Sequence, residues 1–178
     1  MRSARFLIFG GLVLTIGMAV GERSAYAQKQ PSLAARVQKM EDTEEIRTVM
    51  VNYGRYLDAH DFGAYAHLFA KEGEWVGGFG TVKGPAAIEA LMVKSIGAPG
   101  QPASTYHLLT NFVIDVHGDT ATAWSRWTFV TSGADKKPAM AQGGRYEDKL
   151  IREDGHWKFS RREAFVDIPK GGPGAAEK

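Results

Sequence analysis

The spacing of apolar residues changes character three times along this chain. From Phe6 to Val20 nearly every position is apolar, and Gln28 to Lys39 then reads as a polar, loose lead-in. From Asp42 the pattern is helical: Ile46, Val49, Met50, Tyr53 and Leu57 recur at intervals of three and four. Asp42 or Thr43 can cap this first helix, Glu44 and Glu45 fall in its favourable first turn, and it runs to about Asp58. Asp61 caps a second, shorter helix through Phe62, Tyr65, Leu68 and Phe69, and so short a link makes the two a bent pair. Glu74 to Val76 and Thr81 to Lys83 are short strands around a bend at Gly77 to Gly80. Pro85 opens a third helix with Ile88, Leu91 and Met92 on its apolar face. Ile96 to Ser104, with Gly97, Pro99, Gly100 and Pro102, is a loop long enough to serve as a lid.

The last third alternates with a period of two. Thr105–Val116, Thr120–Thr131, Ala139–Arg152 and His156–Ile168 read as four long strands. They are joined by turn chemistry at His117-Gly-Asp119, at 132–137 and at Glu153-Asp-Gly155, so they form an antiparallel meander. Helices followed by such a sheet make an α+β domain. The expected architecture is a cone-shaped α+β barrel, with three N-terminal helices packed on a strongly curved antiparallel sheet and a pocket at the open mouth. The expected segments are a signal peptide at 1–27, a lead-in at 28–40, the folded domain at 41–168 and a flexible tail at 169–178.

Composition changes the picture mainly at the N-terminus. Arg2 and Arg5 precede the apolar run, and Ala25-Tyr26-Ala27 offers small residues where a signal peptidase reads, so cleavage is expected near Ala27 and a secreted or periplasmic location follows. Losing Arg2, Arg5, Arg23 and Glu22 takes Lys+Arg from 22 to 19 and Asp+Glu from 20 to 19. The mature chain is neutral, which gives no argument for nucleic acid, or for a membrane after cleavage. It has no Cys and must be held by an ordinary core.

Two residues carry the candidate chemistry. Asp58 ends a helix where the macrodipole disfavours an acid by about 0.3–1 kcal/mol, so its presence calls for a reason. His107 heads the first long strand, both of whose faces are apolar, with Leu109, Asn111 and Val113 on its own face. Alone, the histidine reads as buried on a backbone carbonyl, and the aspartate as a helix-end acid beside Arg55. Together they are the minimum apparatus for moving protons near neutral pH, and they are expected to meet in one pocket. Tyr53, Tyr56, Trp75, Trp127 and Phe129 would wall it, with Asn111 as a further hydrogen-bond donor. Arg126, Arg145, Arg161 and Arg162 are expected to point to solvent. His60, His67, His117 and His156 lack paired ligand spacing, so no metal is expected, and no phosphate cradle or serine elbow is visible.

Several stretches resemble a known family: 42–47 with Tyr-Leu-Asp-Ala-His-Asp-Phe62, Gly-Glu-Trp75, Gly-Thr-Val-Lys-Gly84, Tyr-His-Leu-Leu-Thr-Asn111, 144–150 and Asp-Gly-His-Trp-Lys-Phe159. They are similar to a SnoaL-like domain of the nuclear transport factor 2-like superfamily over about residues 38–168. The nearest pattern is that of its Asp-His lyases, typified by scytalone dehydratase and lindane dehydrochlorinase. The resemblance implies a cofactor-free reaction in which His107 takes a proton from carbon and Asp58 orients it. It departs at Trp127–Thr131, which lacks the second histidine of scytalone dehydratase, and at Leu57 and near Gly77, where that enzyme has tyrosines.

The sequence therefore supports an exported, cofactor-independent lyase or isomerase acting on a small apolar or polyketide-like molecule. The alternative is a non-catalytic binding or assembly domain that uses the same pocket. Apolar residues on both faces of the first long strand, Phe112 and Ile114 against Leu109 and Val113, suggest a homo-oligomer, dimer or trimer.

Overall fold

The computed structural model describes residues 30–102 and 104–169. The expected signal segment and nearly all of the expected tail lie outside the described residues. Among the described residues nine elements follow in the order α1 (Leu33–Asp58), α2 (Phe62–His67), β1 (Phe69–Gly77), β2 (Gly80–Lys83), α3 (Pro85–Ile96), β3 (Tyr106–His117), β4 (Thr120–Ser132), β5 (Pro138–Glu153) and β6 (His156–Ile168).

Helix α1 starts well before Asp42, in what the sequence marks as lead-in. Ser32 caps it by accepting the Ala35 N–H at 3.2 Å, and good helix formers such as Ala34, Ala35, Arg36, Gln38 and Lys39 follow. These early turns bury nothing, so no apolar periodicity announces them. Asp42 is consequently no cap: its carboxylate is buried and accepts from Gln38 and from Arg152 of β5. Asp61 does cap α2, accepting the Ala64 N–H at 3.1 Å. That helix stops at His67, and Phe69 opens β1, which begins well before the Glu74–Val76 strand legible in the sequence.

The sheet has six strands in the order β2-β1-β6-β5-β4-β3. The β3 to β6 meander is antiparallel as expected, but β1 runs parallel to β6, so the sheet is mixed. It does not close into a barrel: β2 and β3 are both edges. The helices pack on one face, where Ile46, Met50, Tyr53 and Leu57 of α1 meet Phe62 and Tyr65 of α2, Ile88 and Met92 of α3, and Tyr146, Leu150, Trp157 and Phe159 of the sheet.

Bulges decide which strand residues face this core, and three of the sheet's register shifts bear on the site and its surroundings. On β3 the register passes from Thr110↔Arg126 to Val113↔Trp124, so one residue is extra, and Asn111 takes a left-handed backbone, φ 56°. Alternation slips there, so Phe112, Ile114 and Val116 continue the inward face begun by His107 and Leu109. On β5, Ala141 is the extra residue between Val130↔Met140 and Phe129↔Gln142. On β6, Ser160 is extra between Leu150↔Phe159 and Lys149↔Arg161, which turns Arg162 inward.

Arg162 is therefore fully buried, not solvated, at 0% exposure. Its Nε and Nη2 donate to Asp148 Oδ1 and Oδ2 at 2.7 and 2.6 Å. The guanidinium also lies 3.9, 4.3 and 4.1 Å from the ring centres of Tyr53, Tyr146 and Phe159. Burial pushes the Asp148 carboxyl above the usual carboxylate range, opposed by Arg162. Burial alone would loosen the guanidinium's proton, and facing Asp148 more than reverses that. Arg126, Arg145 and Arg161 do point outward, in a ladder of ion pairs with Asp167, Glu147, Glu74 and Glu163.

Candidate functional site

A hollow of about 440 Å³ opens between the end of α1, the start of α2, the end of α3 and the inward face of the sheet. Its key polar pair is set by two elements. Helix α1 ends at Asp58, and β3 brings His107 opposite it: His107 Nδ1 lies 2.6 Å from Asp58 Oδ1. The His107 backbone N–H donates to the other oxygen, Oδ2, at 2.9 Å. One carboxylate thus holds both the main chain and the ring of the same residue. Hydrogen bonds to a charged group contribute about 1.5–3 kcal/mol each, which outweighs the unfavourable helix end. Because the carboxylate accepts, Nδ1 carries the hydrogen, and in the neutral ring Nε2 is the nitrogen with the lone pair. The side chains are 16% and 21% exposed, so the pair is secluded without being sealed.

The walls are flat and apolar. The His107 ring lies 4.9 Å from that of Phe129 and 6.3 Å from that of Trp127. Trp127 anchors itself by donating Nε1–H to the Arg145 carbonyl at 3.2 Å, and Trp75 donates Nε1–H to the Tyr53 hydroxyl at 3.0 Å. Tyr53 lies against Tyr65 and Tyr146 with ring centres 4.7 and 5.2 Å away. Burial, reinforced by the neighbouring Tyr53, pushes the Tyr65 and Tyr146 phenols well above the usual tyrosine range, so they remain neutral.

Of the residues singled out from sequence, Asp58, His107, Tyr53, Trp75, Trp127 and Phe129 all line this hollow. Two do not. Tyr56 is about 60° round α1 from Tyr53, where its hydroxyl accepts from Arg55 at 3.2 Å and the guanidinium covers its ring. Asn111 is exposed, because the β3 bulge takes it out of the inward series. The hollow also includes His60, Tyr65, Gln142 and Tyr146, none of which the sequence pointed to as site residues. The one available signal was a histidine wedged in the short link between two helices.

Among the described residues no group of three or more His, Asp or Glu is placed to hold a metal ion. No described helix is long and apolar enough to cross a membrane.

The family model of the SnoaL-like domain matches residues 38–163. An NTF2-like protein with a cystatin-like fold from Novosphingobium aromaticivorans is similar in structure at TM-score 0.68, with 30% identity over 79% of this chain and 92% of that one. A Mycobacterium tuberculosis protein of unknown function is similar at TM-score 0.64, with 21% identity over 77% of this chain and 83% of its own. A further Novosphingobium aromaticivorans protein, described provisionally as a scytalone dehydratase, matches at TM-score 0.59, with 23% identity over 77% of this chain and 89% of its own. No curated protein matches. The mixed sheet under three helices and a family match over most of the described chain lead to one assignment: this chain belongs to the SnoaL-like domain family of the nuclear transport factor 2-like superfamily.

Proposed function

We propose that this protein is a cofactor-independent lyase or isomerase that abstracts a proton from carbon in a small, largely apolar carbonyl compound. The observation that carries the reading is the two-point hold of Asp58 on His107, which leaves Nε2 as the basic nitrogen. His107 Nε2 takes the proton, and the Asp58 carboxylate stabilises the imidazolium that results. The substrate lies between Trp75, Trp127 and Phe129, and the electron pair left behind moves onto its carbonyl oxygen. Tyr146, kept neutral by burial, and Tyr53 carry phenolic O–H groups of the right kind to donate to that oxygen. Positioning of this type contributes about 10²–10⁴ in rate.

The test is deuterium uptake from D2O into 4-phenylbutan-2-one, a ketone with one flat ring, followed by mass spectrometry. The wild-type chain is expected to accelerate uptake beside the carbonyl, and His107→Gln to lose about 10²–10⁴ of that acceleration. Quenching of Trp75 and Trp127 fluorescence by the ketone with no accelerated uptake would instead support a non-catalytic binding domain.

We also place the reaction outside the cytoplasm, on residues 1–27 alone, and N-terminal sequencing of exported protein starting at Gln28 tests that. A homo-oligomer is proposed on a revised basis. Leu109, Phe112 and Ile114 pack inward, so the apolar outer residues are Tyr106, Leu108, Val113 and Met140, at 45, 46, 62 and 82% exposure. Light scattering decides it.

A further inference from the structure

The hollow holds a second imidazole that the Asp58–His107 pair leaves unexplained. His60 lies two residues beyond α1, with a left-handed backbone at φ 54° and a side chain only 5% exposed. Such a conformation is strained for a residue with a β-carbon and persists only where its surroundings hold it. They do so at three points. The ring stacks on Phe62 with centres 5.1 Å apart, Nδ1 lies 3.1 Å from the Ala98 carbonyl oxygen, and the His60 carbonyl accepts the Gly100 N–H at 3.1 Å. A carbonyl only accepts, so Nδ1 carries the hydrogen and Nε2 is the nitrogen left for a ligand. His60 lines the same hollow as Asp58, Ser95, Thr105 and His107.

Two imidazoles thus line one small hollow, each with Nδ1–H spent on a fixed acceptor, but the acceptors differ. His107 is held by a carboxylate, on which the base reading rests. His60 is held by a main-chain carbonyl, apart from that pair, and is the ring placed to serve the other proton of the reaction.

We propose that His60 is the acid of an elimination, delivering a proton to the departing oxygen of a β-hydroxy ketone. The proposal rests on His107 being the base. The C–H bond next to the carbonyl breaks, its proton goes to His107 Nε2, and its electron pair becomes the new C=C bond. The C–O bond breaks with its pair on oxygen, the proton on His60 Nε2 joins that oxygen, and water leaves. His107 then returns its proton to solvent and His60 regains one, so the protein ends unchanged. The substrate class is an aryl β-hydroxy ketone, whose ring suits the aromatic walls.

The test compares three compounds in the full chain: deuterium uptake into 4-phenylbutan-2-one, water loss from 4-hydroxy-4-phenylbutan-2-one, and acetate loss from 4-acetoxy-4-phenylbutan-2-one. The last two give the same strongly absorbing enone. His60→Asn suits the test because asparagine tolerates a left-handed backbone and its amide can donate to Ala98. It is expected to slow water loss by about a hundredfold while leaving deuterium uptake and acetate loss within about twofold, since neither needs an acid. In the wild type, water loss is expected to show a solvent isotope effect that acetate loss lacks, which requires no variant to fold. Equal losses on all three compounds would show that His60 only fastens the loop to Ala98 and Gly100, and unchanged water loss would also overturn the proposal. The base reading fails separately, through undiminished deuterium uptake in His107→Gln.

Discussion

Replacing Arg162 with methionine removes the one cation that, among the described residues, pairs with the buried Asp148 carboxylate, while keeping a long, flexible apolar side chain in place. Arg162 is fully enclosed, it meets both Asp148 oxygens at 2.6–2.7 Å, and it covers three aromatic faces at about 4 Å. Breaking a buried pair from one side costs about 3–5 kcal/mol, because the remaining charge is stranded. The lost cation–π contacts add to this, although not independently. We therefore expect Arg162→Met to lose about 4 kcal/mol, a large part of the 5–15 kcal/mol typical of a domain. Urea unfolding, followed by tryptophan fluorescence, measures it as a lower midpoint at similar slope. The double variant Arg162→Met with Asp148→Leu is expected to regain most of the loss, since it strands no charge. The pH dependence has a fixed sign. Burial already raises the Asp148 carboxyl, and without Arg162 it rises further, so the folded state holds that proton more tightly than the unfolded chain. The deficit relative to wild type is then smallest at about pH 4 and below, and grows as pH rises through the raised folded value. A single variant costing under about 1 kcal/mol, or a double variant no better than the single, would refute the reasoning.

Three other substitutions follow from local geometry. Asn111 is left-handed and exposed, so Asn111→Val is expected to cost about 1–2 kcal/mol and Asn111→Gly almost nothing, with neither changing ketone deuteration. Thermal unfolding and the exchange assay check this pair. Tyr53→Phe removes the acceptor of the Trp75 indole N–H and is expected to cost about 1–3 kcal/mol in urea unfolding. A β-carbon at Gly144 would overlap the Phe165 carbonyl oxygen and meet the Trp127 ring at 2.7 Å. Gly144→Ala is thus expected to cost about 1–3 kcal/mol and to weaken ketone quenching of tryptophan fluorescence by displacing the Trp127 wall.

What the sequence discloses and what it hides divide along physical lines. The stripe from Ile46 to Leu57 and the alternation after Thr105 report burial on one face, so α1's inner part and β3 to β6 could be read directly. The first turns of α1 bury nothing and leave no such mark. β1 does bury Phe69, Ala70, Gly73 and Trp75, but a register shift between Phe69 and Glu74 breaks its alternation. Bulges are the deeper difficulty, since one extra residue reverses every later side chain without altering the local pattern. Strict alternation puts Asn111 on the inward face, and the β3 bulge takes it out. Arg162 reads as solvent-facing because long cations commonly snorkel, and the extra Ser160 turns it inward. The parallel pairing of β1 with β6 and the closing of His60 onto Ala98 depend on tertiary contacts distant in sequence. Asp58 and His107 could be singled out because each is out of place where it stands, an acid at a helix's negative end and an imidazole among apolar neighbours.

The claim on which the mechanism depends is that Asp58 fixes the His107 ring with Nε2 unprotonated. Long-range ¹H–¹⁵N correlation NMR of the histidine side chains in the full chain reads this without any substrate. The expected spectrum shows His107 with a protonated Nδ1 and a bare Nε2, and Asp58→Asn mixes the two forms. A wild-type His107 protonated at Nε2 with a bare Nδ1 would contradict the account, because no lone pair would then be available to take a proton from a ligand.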